Sequence, residues 1–107
     1  MIKIVDSDEL KAKFDSDEKF TLLDVRETNE FEAGHIPDAI LVPLSSFPEN
    51  FSKFVTDPNE EIILTCRSGA RSMKVAQFLE SRGFMNLANH EGGILDWTAC
   101  GYPVSKT

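Results

Sequence analysis

Apolar residues fall along this chain in short runs, separated by stretches in which apolar positions recur at helical spacing. Five runs, Ile2–Val5, Phe20–Val25, Ala39–Val42, Ile62–Thr65 and Met85–Ala88, have strand length and are flanked by turn-forming or polar residues. The intervening segments carry helix signals. Asp6 can cap a helix with Glu9 three residues on, Val5 and Leu10 stand where a hydrophobic staple would form, and Leu10 and Phe14 share one face. Thr28–Ala33 predicts a short helix closed by Gly34, after which His35-Ile36-Pro37-Asp38 reads as a turn. Asn50–Val55, following Pro48, has helical spacing without a clear start or stop. Ala70–Arg82 predicts the longest helix, with Val75, Ala76 and Leu79 on one stripe and Gly83 beyond its end. Ile94–Ala99, after Gly92-Gly93 and before Gly101-Tyr102-Pro103, predicts the last. Strands alternating with helices imply an α/β fold whose mostly parallel sheet is covered on both faces.

The 107 residues fit one domain, 1–107, with no repeat or linker to divide it. A chain of this size can bury about two-thirds of its surface, enough to hide its eight Phe. Eleven Lys and Arg against eighteen Asp and Glu leave a net charge of −7, which repels phosphate backbones and anionic headgroups, so neither nucleic acid nor a membrane is an expected partner. The first residues, Met1 to Asp6, contain no signal-peptide apolar region, and a cytoplasmic location is the expectation. Two cysteines, Cys66 and Cys100, are too few for a disulfide framework.

Chemistry concentrates in Cys66-Arg67-Ser68-Gly69-Ala70-Arg71-Ser72. A cysteine ends the most apolar strand, and a small-residue loop then opens a helix, the place where ligands bind in open α/β sheets. Backbone N–H groups of such a loop converge on the sulfur and favour negative charge there, and Gly69 permits the tight curl. From Ile62 to Leu79 there is no acidic residue although an even spread would place about three; Arg67, Arg71 and Lys74 make this a positive island. A helix terminus and one nearby arginine supply enough field to lower a free thiol by one to about three pH units. The residues alone therefore point to Cys66 as an anion-binding nucleophile, against the alternative of a buried, inert cysteine.

Asp24-Val25-Arg26-Glu27 with Glu30-Phe31, Gly34-His35-Ile36-Pro37 with Ala39, the Cys66–Ser72 loop, and Gly92-Gly93 with Trp97 and Gly101-Tyr102-Pro103 occur in an order and spacing that resembles the rhodanese-like domains, in their single-domain sulfurtransferase form. One position departs: Asp38 stands where that family commonly has glycine. The resemblance implies a five-stranded parallel sheet and an active-site loop from Cys66 to Arg71. It also implies transfer of a sulfane sulfur through a persulfide on Cys66, from an anionic donor such as thiosulfate to a thiol or cyanide. Arg67, Ser68, Gly69, Ala70 and Arg71 would then bind the substrate, with no metal or organic cofactor and with a protein sulfur donor or acceptor as an open option.

Two other functions share the local pattern. Cysteine phosphatases and arsenate reductases also pair a cysteine with an arginine around an anion, but with five intervening residues where Cys66 and Arg71 have four. A partner-specific sulfur carrier or binding module is the other. The remaining polar residues have quieter expectations. His35 is a turn residue, and neither it nor His90 has metal-ligand spacing. Asp24 is expected to be satisfied by the loop backbone or by Arg26, and Glu27 and Glu30 to be helix-start charges, one of them pairing with Arg26. Trp97 and Ile94 pack the last helix on the sheet, and Cys100 is a buried, quiet thiol.

Overall fold

The computed structural model describes residues 1–53 and 55–106, with the side chains of residues 48 and 50 set aside. Five parallel strands, β1 (Ile2–Val5), β2 (Thr21–Asp24), β3 (Ile40–Leu41), β4 (Ile62–Thr65) and β5 (Leu87–His90), form one sheet in the order β1-β5-β4-β2-β3. The helices are α1 (Ser7–Asp15), α2 (Thr28–Ala33), α3 (Phe47–Asn50), α4 (Ala70–Ser81) and α5 (Gly93–Ala99), and short 3-10 turns at Leu44–Ser46 and Phe51–Lys53 flank α3. The expected five-stranded parallel α/β architecture is the one observed.

Period-two alternation divides the core between the two faces of the sheet. Leu23, Ile62, Leu64 and Leu87 pack with Val75, Ala76 and Leu79 of α4 and with Phe47 and Phe84. Leu22, Ile63 and Ala88 pack on the other side with Leu10 of α1 and with Ile94 and Trp97 of α5. All four residues of β4 are buried, as a central strand covered on both faces requires. Cys66 continues the alternation of Ile62 and Leu64, which aims it toward the α4 side.

Local rules built the helices as expected. Asp6 accepts from the Glu9 amide at 2.8 Å while the Glu9 carboxylate accepts from the Asp6 amide at 3.1 Å, a complete capping box at the start of α1. α2 spans the residues expected, α4 ends one residue early at Ser81, and α5 begins one residue early at Gly93. Of the ambiguous stretch Asn50–Val55, the chain is helical to Lys53, and Phe54 lies outside the described residues.

The strands depart further from their expected bounds than the helices do. β2 and β3 are trimmed at both ends, and β5 is displaced two residues, from Met85–Ala88 to Leu87–His90. Met85 is exposed, and its amide bonds to the carbonyl of Pro58 instead of joining the sheet. Asn89 and His90 lie in the strand because partners from other elements satisfy their polar groups, as described below. Asp38 adopts φ +70°, the left-handed conformation that glycine would take without strain.

Candidate functional site

Strands β2 and β4 are neighbours, yet their onward connections lead to opposite edges of the sheet, which opens a crevice at their C-terminal ends. Cys66 follows β4 at that point, Asp24 ends β2, and Asn89 and His90 end β5. Gly69, at φ +101°, turns the chain back into α4. The curl brings the Gly69 amide to 3.1 Å from the Cys66 sulfur and the Ser72 hydroxyl to 3.4 Å.

The orientation of this loop is imposed from below. The amides of Ile94 and Leu95, in the first turn of α5, donate to the carbonyls of Cys66 and Arg67 at 2.9 and 3.1 Å. Carbonyls held outward on the α5 terminus leave the loop N–H groups free to face the sulfur. Gly93 makes this docking possible. A Cβ at that position would stand 2.4 Å from the Arg67 carbonyl oxygen and 2.5 Å from that of Cys66.

Burial pushes the Cys66 thiol up, and hydrogen bonds from the Ser72 hydroxyl and from the Ser72, Gly69 and Ser68 amides pull it down further, leaving it below an ordinary cysteine. The direction agrees with the expectation, but the main cause differs: hydrogen-bond donors act ahead of arginine charge. Cys66 is only 1% exposed, so reagents must be small or the loop must open to admit them.

Arg71 leaves the loop and meets Glu30 of α2 in a two-pronged ion pair at 2.8 and 2.9 Å. The Arg71 guanidinium, together with the Glu27 amide, holds the Glu30 carboxyl down at about 2 despite partial burial. Glu30 is thus a partner of the loop, where a simple helix-start charge was expected. Glu27 accepts from the Ser45 hydroxyl at 2.8 Å and does not pair with Arg26. Arg26 instead chelates Asp24, with contacts from 2.9 to 3.2 Å, and donates to the Gly34 carbonyl, while Asp24 also accepts the Arg26 amide. This buried pair anchors the β2 end of the crevice. Arg67 and Ser68 are exposed on the loop, Ala70 opens α4, and Lys74 is exposed one turn on.

Asn89 and His90 escaped the reading of the sequence as site groups, and that reading includes Ser72 only as the last residue of the loop. Ser72 is fully buried and bonds to Asn89 at 2.5 Å, and Asn89 donates to the Gly69 carbonyl at 3.0 Å. His90 is fully buried between the Ser7 hydroxyl at 2.8 Å and the Thr65 hydroxyl at 2.9 Å, and burial drives it down to about 4, so it is neutral. The available signal was a pair of polar residues closing an apolar run, Leu87 to His90. His35 sits in its turn as expected, stacked on Phe31 and bridged to Ser105. Trp97 and Ile94 pack α5 on the sheet as expected. Cys100 does not follow its expectation: it is exposed at the end of α5, where partial desolvation and then Asp96, Asp8 and Asp6 raise its thiol.

Among the described residues no group of three or more His, Cys, Asp or Glu side chains could hold a metal ion, and no helix is long and apolar enough to cross a membrane. A family model described as Rhodanese-like domain matches residues 6–100. The "Putative sulfurtransferase YtwF" of Bacillus subtilis is 38% identical over 96 residues, covering 90% of each chain. A sulfurtransferase of Allochromatium vinosum is 33% identical over 104 residues, covering 97% of this chain and 95% of its own. The crystal structure of a rhodanese-like domain protein from Staphylococcus aureus superimposes with a TM-score of 0.82 at 36% identity, over 90% of this chain and 91% of that one.

Proposed function

We propose, from the premise that this chain belongs to the rhodanese-like domain family, that it moves a sulfane sulfur from an anionic donor such as thiosulfate to a thiol or cyanide acceptor through a persulfide on Cys66. The observation that carries this reading is a ring of donors around one buried sulfur: the Gly69 amide at 3.1 Å, the Ser72 hydroxyl within reach at 3.4 Å, and the Ser68 and Ser72 amides, all of which favour the ionised sulfur. Such a ring stabilises a thiolate before reaction and the anionic outer sulfur after it.

The chemistry is a double displacement. The Cys66 thiolate attacks the outer sulfur of thiosulfate, a new sulfur–sulfur bond forms, the bond within the donor breaks, and sulfite leaves with its electron pair. An acceptor thiolate or cyanide then attacks the outer sulfur of the persulfide, and Cys66 leaves as thiolate. Charge balances in both steps, so neither oxidant nor cofactor is required. Exposed Arg67 draws the anion in, and Arg71, tethered by Glu30, keeps guanidinium N–H donors available to orient it. Ser68, Gly69 and Ala70 supply the wall of amides. One domain suffices for this cycle, and a reducing cytoplasm, which keeps Cys66 a thiol, is the compartment it fits.

Intact mass after incubation with thiosulfate tests the reading. The protein is expected to gain the mass of one sulfur atom, to lose it on addition of cyanide, and to remain unmodified as Cys66→Ser. An unchanged mass with thiosulfate, together with modification by a persulfidated protein, would move the assignment to a partner-specific sulfur carrier. Turnover of an aryl phosphate would move it to a phosphatase, against the shorter spacing between Cys66 and Arg71.

A further inference from the structure

The Ser72 hydroxyl has one proton and three acceptors within reach: Asn89 Oδ1 at 2.5 Å, the Gly69 carbonyl at 3.2 Å and Cys66 Sγ at 3.4 Å. Which acceptor receives it follows from the Asn89 amide. A carbonyl oxygen only accepts, so Asn89 must present its Nδ2 to the Gly69 carbonyl at 3.0 Å. Its Oδ1 then faces Ser72, and the Ser72 proton goes to the shortest of the three contacts. In that arrangement Ser72 turns a lone pair toward Cys66, which suits a neutral S–H that donates to it. A thiolate has no proton to give and demands the reverse. Ser72 must rotate its proton onto sulfur, and Asn89 Oδ1, buried with its residue 4% exposed, is left without a donor.

We propose that Asn89 is a positioning residue that competes with Cys66 for the single proton of Ser72, so that ionisation of Cys66 is coupled to a rotation of the Ser72 hydroxyl. Asn89 thereby holds the sulfur in reserve until a negative charge on it, as thiolate or as persulfide, is strong enough to claim the proton. The coupling deepens the sulfur-transfer reading, since it concerns the same nucleophile, but its measurement needs no sulfur donor. Its geometry is self-contained. The Gly69 carbonyl also accepts from the Met73 amide at 3.2 Å, so replacing Asn89 does not orphan it.

The charged and titratable groups around Cys66 and Asn89 are unchanged by a replacement of Asn89 itself. They are Arg67 on the loop, Arg71 of α4 with its partner Glu30 of α2, the Asp24–Arg26 pair at the end of β2, neutral His90 of β5, and Asp96 of α5. Any shift on replacing Asn89 with an apolar residue therefore reports on the hydrogen-bond chain and not on a charge added or removed nearby.

The test is the pH midpoint of Cys66 alkylation by iodoacetamide in a Cys100→Ser background, read as a midpoint because intrinsic nucleophilicity also varies with thiol acidity. Asn89→Leu frees the Ser72 proton and is expected to lower the midpoint by about one pH unit, a tenfold rise in thiolate fraction on the acid limb. Asn89→Met, unbranched and easier to accommodate, is expected to move it the same way. In a Ser72→Ala background neither replacement should move the midpoint. An unchanged or raised midpoint in a variant that keeps its circular dichroism spectrum would overturn the proposal, as would a shift that persists without Ser72. A protein that shows these shifts yet never takes sulfur from any donor would refute the sulfur-transfer reading and leave this coupling standing.

Discussion

Replacing Gly93 by alanine tests whether the α5 terminus sets the orientation of the Cys66 loop. Two costs can be separated. Gly93 has φ +57°, and an L-residue in that region costs about 1 kcal/mol. The added Cβ would also lie 2.4–2.5 Å from three backbone atoms of Cys66 and Arg67, none of which can swing aside as a side chain would. Relief requires the loop and α5 to separate, which breaks the Ile94–Cys66 and Leu95–Arg67 hydrogen bonds at 2.9 and 3.1 Å. Two such losses in a buried setting add about 2–4 kcal/mol, for a total of about 3–5 kcal/mol. Gly101→Ala is the matched control: its φ is +80°, but nothing lies within 4 Å of the added Cβ, so only the backbone cost of about 1 kcal/mol remains. Urea unfolding of both variants beside the parent gives the difference directly. Gly93→Ala should also alkylate more slowly at neutral pH, because carbonyls released from α5 no longer keep the loop amides turned toward sulfur. Equal destabilisation of the two variants, or an unaltered thiol in Gly93→Ala, would refute the idea that α5 positions the loop.

Two predictions concern acid. His90 titrates near 4 in the fold against an ordinary 6.5, so between those values the unfolded chain binds more protons than the native one. Its contribution is fully present above pH 6.5 and is lost as pH falls toward 4, by about 3 kcal/mol; His90→Gln should flatten that part of a stability-versus-pH curve, and an equally steep variant would count against it. Glu30 is held at about 2 by Arg71, so its stabilisation is present above the usual carboxylate value near 4.5 and disappears as pH drops toward 2. Because the pair is about a quarter to a third exposed, solvent screening reduces the effect to about 1–2 kcal/mol. Denaturant titrations of Glu30→Gln should show a shallower decline below pH 4.5 than the parent, and identical acid limbs would refute the pairing.

The legible parts of this protein were those written in short-range code. Asp6 and Glu9 announce α1 because a capping box needs only residues three apart, and the box is complete in the structure. Thr28–Ala33 and the stripe through Val75, Ala76 and Leu79 declare their helices in the same way. The apolar run Ile62–Thr65 identifies a central strand, and a cysteine at its end before Gly69 identifies the crevice, because both depend on neighbours in the chain. Asn89 and His90 were missed for the opposite reason. Polar side chains normally end a buried strand, and these continue it only because Ser72, Gly69, Ser7 and Thr65 arrive from elsewhere to satisfy them.

The sequence by itself determined the alternation of strands and helices, the parallel sheet they must form, and the cysteine loop at its carboxyl edge, since hydrophobic period and turn chemistry are properties of adjacent residues. Only the tertiary structure decided how that loop is used. Folding paired Arg71 with Glu30, forty-one positions away along the chain, set Gly93 against the carbonyls of Cys66 and Arg67, and left Cys100 in solvent. It also assigned the acidity of Cys66 chiefly to hydrogen-bond donors. A hydrogen bond acts over about 3 Å, so which donors face a sulfur depends on how distant segments pack and not on which residues precede it.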